Sequence, residues 1–173
     1  RADSWEALGD VYYEIQFVEG SVNQGIEAFT AAIALEPLNP VLHMKLGKFY
    51  TVKGELEKAQ ESFSKAVEVK QDYAEAQLQI ALLKERKGEV KDALTAVEQI
   101  SLRYPLNTDV RFQLGRLLYN AGNVEKAILQ FERVIQTIPN NSNALFALGT
   151  ALKAQGRDEE AKVSFEKALL LNP

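Results

Sequence analysis

The sequence predicts an all-α fold: helical hairpins in series, about ten antiparallel helices. Three observations predict it. Leu-Gly pairs at Leu46-Gly47, Leu114-Gly115 and Leu148-Gly149 keep one constant step, with Ile80-Ala81 filling the skipped place. A second glycine follows each pair at a constant distance, as Gly54, Gly122 and Gly156, with Gly88 after Ala81. Between these marks the apolar residues keep a helical period. Leu42, Leu46, Phe49 and Tyr50 fall at i, i+4, i+7 and i+8, and no segment alternates long enough to read as a strand.

The units read 2–39, 40–73, 74–107, 108–141 and 142–173. The first opens with Trp5, Leu8, Gly9 and Tyr12. In the second helix of the later units, small residues recur at Ala59, Ala93, Ala127 and Ala161. Bulky ones recur at Phe63, Val97, Phe131 and Phe165. Pro37, Pro105, Pro139 and Pro173 close four units. A mid-helix glycine costs ~1 kcal/mol relative to alanine. Its recurrence in the first helix therefore implies a paired helix too close to admit a Cβ. The second glycine supplies a left-handed helix stop, and proline marks where the second helix cannot continue.

Two units depart from the pattern. Gly9 and Gly20 stand further apart than the matching glycines of the other units, and the excess is Ile15-Gln16-Phe17-Val18. An insertion of that size is close to one helical turn, so the first helix is expected to run a turn longer. Ser21-Val22-Asn23-Gln24 reads as a capping box for the second helix. Phe17 and Val18 are expected to pack over that helix, the alternative being a partner surface. In the third unit Ala81, Lys84, Val97 and Ile100 stand at landmark places, which predicts looser packing. The last unit has no polar closing helix, so its face around Phe165 and Leu169 is expected to be open to water. The chain starts at Arg1 and stops at Pro173, and both read as cut ends of a longer protein.

These landmarks resemble the tetratricopeptide repeat, W-x2-L-G-x2-Y, then A-x3-F, then P. The resemblance covers essentially the whole chain, and all ten glycines fall on repeat positions. It implies a single array of five repeats forming a right-handed α-solenoid, with a concave groove lined by the first helices. The fifth position of each unit then gives Glu6, Met44, Leu78, Phe112 and Phe146, an apolar ladder from the second unit on. Ninth positions are Asp10, Lys48, Leu82, Arg116 and Thr150, with Tyr13, Arg86, Tyr119 and Lys153 nearby. The groove so drawn is acidic in its first unit through Asp3, Glu6, Asp10 and Glu14. Later it is apolar and cationic. The implied function is a non-catalytic scaffold for a peptide or helical segment with apolar anchors and acidic residues. Fifth-position side chains have two roles open to them, core or ligand contact. The clamp by which some members hold chaperone C-termini is absent: Glu6, Asp10, Lys45, Glu75 and Gln79 occupy its places. A frame one unit on, Met44, Lys48, Gln79, Asp109 and Gln113, also fails.

Composition narrows the alternatives. Net charge is −4 over 173 residues, which argues against nucleic acid, and basic residues form no stripe with aromatics. Without cysteine there is no thiol nucleophile, disulfide or zinc–thiolate site. The one histidine, His43, takes the place of the repeat's tryptophan and reads as a packed residue. No phosphate loop, HExxH or EF-hand spacing appears, so no catalytic residue, metal or cofactor is expected. Glu159-Glu160 reads as a solvated face, and Asn140-Asn141-Ser142 as a turn that also matches a glycosylation acceptor. No apolar run suffices to cross a bilayer. Two rival functions remain. The lengthened first unit and the run EAFTAAIALEPLNP look like repeat tails of bacterial O-antigen ligase or polymerase-like membrane proteins. That would make the chain an accessory domain of a glycan ligase. The open last face would alternatively serve self-association.

Overall fold

The computed structural model describes residues 1–18 and 20–171. Among them are ten helices and no strand: α1 (Ala2–Glu14), α2 (Ser21–Leu35), α3 (Pro40–Lys53), α4 (Leu56–Val69), α5 (Ala74–Arg86), α6 (Val90–Arg103), α7 (Thr108–Asn120), α8 (Val124–Thr137), α9 (Ser142–Ala154) and α10 (Asp158–Leu171). They fall into two compact units, Arg1–Arg86 with α1–α5 and Lys87–Pro173 with α6–α10. In the first unit α1 packs on α2, α2 on α3, α3 on α4 and α4 on α5. In the second, α6 packs on α7, α7 on α8, α8 on α9 and α9 on α10.

The first helix of a pair ends on a glycine because the chain must reverse within a very short turn. Gly54 takes φ 82°, a left-handed conformation that any side chain would strain. This lets the Glu55 N–H reach back to the Tyr50 carbonyl at 2.9 Å. The same bond recurs from Asn123 to Leu118 and from Arg157 to Leu152. The next unit opens on asparagine. The side chains of Asn39, Asn107 and Asn141 accept from the N–H groups of Val41, Val110 and Ala144 at 3.1, 3.0 and 2.9 Å. Each satisfies an otherwise unpaired N–H of the first turn. Asn141→Ala is expected to cost about 1 kcal/mol, read as a lower urea midpoint with an unchanged slope.

Close approach within the pairs is as the glycines imply. A Cβ on Gly115 in α7 would stand 2.6 Å from the Phe131 ring of α8. The same clash would arise between Gly9 and Phe29, Gly47 and Phe63, and Gly149 and Phe165. Phe29 and Phe63 are wholly buried, and so are Ala59 and Ala66 beside Phe63. His43 is buried, and its Nε2–H donates to the Pro37 carbonyl at 2.8 Å.

The first unit corrects the sequence reading three times. α1 stops at Glu14, no longer than its counterparts, and Ile15–Val18 form a turn closed by the Val18 N–H on the Ile15 carbonyl at 2.8 Å. Ile15 and Val18 are β-branched and weak helix formers. The extra residues therefore lengthen the connection, while Gly9 keeps its place against Phe29. No capping box forms. Gly20 holds the N-cap place of α2, and the Ser21 hydroxyl donates instead to the Val18 carbonyl at 2.7 Å. Nor does Phe17 pack over α2, since it is 84% exposed at the tip of this turn.

Candidate functional groove

The residues expected from the sequence to line a groove sit on the first helices of the pairs. In the first unit these are α1, α3 and α5. Lys45 of α3 reaches back to α1, where its Nζ lies 2.9 Å from Glu6 and 2.7 Å from Asp10. Burial opposes its charge, but hydrogen bonds to Asp10 and Glu6 outweigh that and hold its pKa above the ordinary lysine value. Lys48, one turn on, pairs with Glu75 of α5 at 2.8 Å. Beneath them, Tyr13 meets Phe49 edge to face at 5.6 Å, and Phe49 meets Phe29 at 5.6 Å. Asp10, Tyr13, Phe29, Lys45, Lys48 and Phe49 line a notch of about 90 Å3. It has room for a short aliphatic side chain, with an aromatic floor and a charged rim.

Met44 and Leu78, the fifth-position residues here, are buried. Met44 packs in the cluster formed with Phe63, Ala66, Ala76 and Leu83. Of the two roles open to the ladder, these two residues take the core role. Leu82 is half-buried and Arg86 exposed. The acidic character read for the first helix is also partly neutralised, because Lys45 occupies both Glu6 and Asp10. Lys45 is the residue whose importance the sequence reading missed. The signal was its place beside Met44, one unit on from the acidic pair.

The second unit presents α7 and α9. Phe112 is half-buried with its ring 5.8 Å from Phe131. Phe146 is 61% exposed and lies 5.4 Å from Phe165. Arg116 is held by the Gln113 side chain, Nε to Oε1 at 2.8 Å. Tyr119 is half-buried and Lys153 exposed. Ser142, Asn143, Phe146, Phe165, Ala168 and Leu169 line an open apolar cleft of about 560 Å3. Among the described residues no cluster of three or more His, Asp or Glu could hold a metal ion. No described helix is long and apolar enough to cross a membrane.

Family models described as tetratricopeptide repeat match residues 18–85, 78–143 and 142–173. The chain belongs to the tetratricopeptide repeat family. No curated protein sequence matches it. Solved tetratricopeptide repeat structures do. Its fold is similar to that of MamA, at 27% identity and TM-score 0.68, over 88% of this chain and 90% of that one. It is similar to YrrB, a tetratricopeptide repeat protein with an unusual peptide-binding site, at 20% identity and TM-score 0.63, over 100% and 87%. It also matches a chain of the APC/C hetero-tetramer Cut9-Hcn1 at 16% identity and TM-score 0.85, over 99% of this chain and 34% of that one. These likenesses place the chain in the all-α class of tetratricopeptide repeat solenoids. In this family's terms Gly115 and Phe131 are the paired small and bulky landmarks, and the clash a Cβ would cause is why they are paired.

Proposed function

We propose that the chain is a non-catalytic scaffold that binds a segment of another protein through the exposed residues of its first helices. The observation that carries this reading is Phe146, a large ring left mostly in water beside Phe165, on the helix that also carries the exposed Lys153. Exposed aromatic surface next to a cation suits an apolar anchor followed by an acidic residue. Phe112, Arg116 and Tyr119 on α7 extend the same chemistry. Leu82, Arg86 and Lys48 supply it in the first unit, while Met44 and Leu78 support it from the core. The peptide-binding site of YrrB, a protein of similar fold, supports a peptide ligand.

The test is a panel of fluorescent synthetic peptides carrying paired apolar anchors with glutamates between them. Phe146→Ala and Phe112→Ala are each expected to weaken the best peptide by ten-fold or more, about 1.4 kcal/mol. Helicity and the melting curve should change little for Phe146→Ala. Lys153→Glu should weaken glutamate-bearing peptides most at low salt. Unfolding without a separable binding defect would assign the rings to the core and end the proposal.

A further inference from the structure

One segment of the chain has no part in the packing of the pairs. Ile15–Val18 has no counterpart in the other units, and Gly9 faces Phe29 just as Gly47 faces Phe63. The hairpin is therefore complete without these residues. Yet the turn is held in place. The Val18 N–H donates to the Ile15 carbonyl at 2.8 Å, and the Gln16 N–H to the Tyr13 carbonyl at 3.3 Å. The buried Ser21 ties the Val18 carbonyl through its hydroxyl at 2.7 Å, and Ile15 is half-buried. On this base stands Phe17, the most exposed of the eight phenylalanines, with Val18 exposed beside it. Stacking of further pairs does not cover such a place. The pairs turning at Gly54 and Gly122 have helices packed on both sides, and both glycines are exposed all the same.

The charge around this turn is one-sided. No lysine or arginine falls between Ala2 and Met44, while carboxylates continue through Glu14, Glu19, Glu27 and Glu36, so the net −4 of the chain is gathered on its first pair. Lys45 offsets only Glu6 and Asp10. The end of α1 sharpens the contrast. A helix C-terminus carries partial negative charge, which a cation in the last turn relieves. Lys53, Arg86 and Lys153 stand there in α3, α5 and α9, but α1 has no basic residue in its last turn and closes on the exposed Glu14. A carboxylate at that place works against α1, and a cation brought from outside removes the penalty.

We propose that the Ile15–Val18 turn docks a basic amphipathic segment of another protein. Phe17 enters that segment's strip of aliphatic side chains, and its lysines or arginines meet Glu14 and the end of α1. The ring supplies affinity, because an anchor on a tethered turn loses little freedom on binding. The negative field of the first pair speeds the encounter and orients it. The inference goes beyond the groove reading and does not depend on it, since no groove residue lies in this turn.

The probe is a synthetic helical peptide with a leucine strip flanked by lysines, labelled with fluorescein and followed by anisotropy. One control peptide carries glutamates for the lysines. Another has the same composition scrambled so that no strip forms. The wild-type chain should bind the first peptide and neither control, more weakly as salt rises. Phe17→Ser should weaken binding by roughly ten-fold or more. Glu14→Lys should weaken it about three-fold while raising the melting temperature, because the same change relieves the end of α1. Phe146→Ala should leave it unchanged. Phe17 and Glu14 are both exposed, so helicity serves as the fold control. A lysine peptide that the wild-type chain does not bind overturns the proposal. So does one that binds Phe17→Ser as tightly as wild type, or whose binding depends on Phe146 instead. Phe17-dependent binding to phosphatidylcholine vesicles in place of the peptide also overturns it, by assigning the turn to a lipid surface.

Discussion

Phe131→Ala is expected to destabilise the second compact unit by about 3–5 kcal/mol. The ring is buried and fills the space in front of Gly115, where a Cβ would stand 2.6 Å from it. Removing it leaves a cavity between two helices whose separation other contacts of the pair also set. The reciprocal change gives a second handle on the same contact. Gly115→Ala adds helix propensity of ~1 kcal/mol but drives a methyl into a closed ring, at a cost of about 1–3 kcal/mol, so a net loss is expected. Combined with Phe131→Leu, the added methyl gains room, and the double variant should lose less than the sum of the singles. Urea melts followed by circular dichroism would measure all four chains. Simple additivity would show that glycine and ring do not share one space. Gly122→Ala is the control: there the cost comes from φ 79°, with nothing within 4 Å of the added carbon.

Ala59→Leu is expected to cost the first unit as much as any overpacking change, about 1–3 kcal/mol. Ala59 has no exposed surface and lies in the cluster of Met44, Phe63, Ala66, Ala76 and Leu83. The larger side chain must push α4 away from α3 or force Phe63 off its rotamer. Shifting α4 also disturbs α5, which packs on it. A lower melting temperature with broadened methyl signals from Leu83 is the expected readout. A cost no larger than that of an ordinary surface change, about 0.5 kcal/mol, would mean that the small residue is not required for the spacing.

Much of this was legible beforehand because a repeat constrains the same place several times. One glycine in a helix is ambiguous, but Gly9, Gly47, Gly115 and Gly149 each facing a phenylalanine are not. What failed to read was what occurs once. The length of Ile15–Val18 fits either a longer helix or a longer turn, and the weak helix propensity of its β-branched residues was the signal left unweighed, while the Ser21 hydroxyl donates to the Val18 carbonyl where a capping box would have it accept from a backbone N–H. Burial along the fifth-position ladder was hidden for a different reason. Met44 is buried and Phe146 is not, although they hold equivalent places, because exposure depends on what packs beside them. Lys45 escaped notice since its partners lie 39 and 35 residues earlier, a distance that only the hairpin geometry closes.

The pairing of each glycine with its ring spans little chain: Gly47 and Phe63, or Gly115 and Phe131, sit on consecutive helices joined by a short turn. Such contacts carry a small loop-closure penalty and favour rapid formation. During translation α3 and α4 are therefore free to meet before α7 has been made, ahead of the stacking between neighbouring pairs that holds a repeat array together.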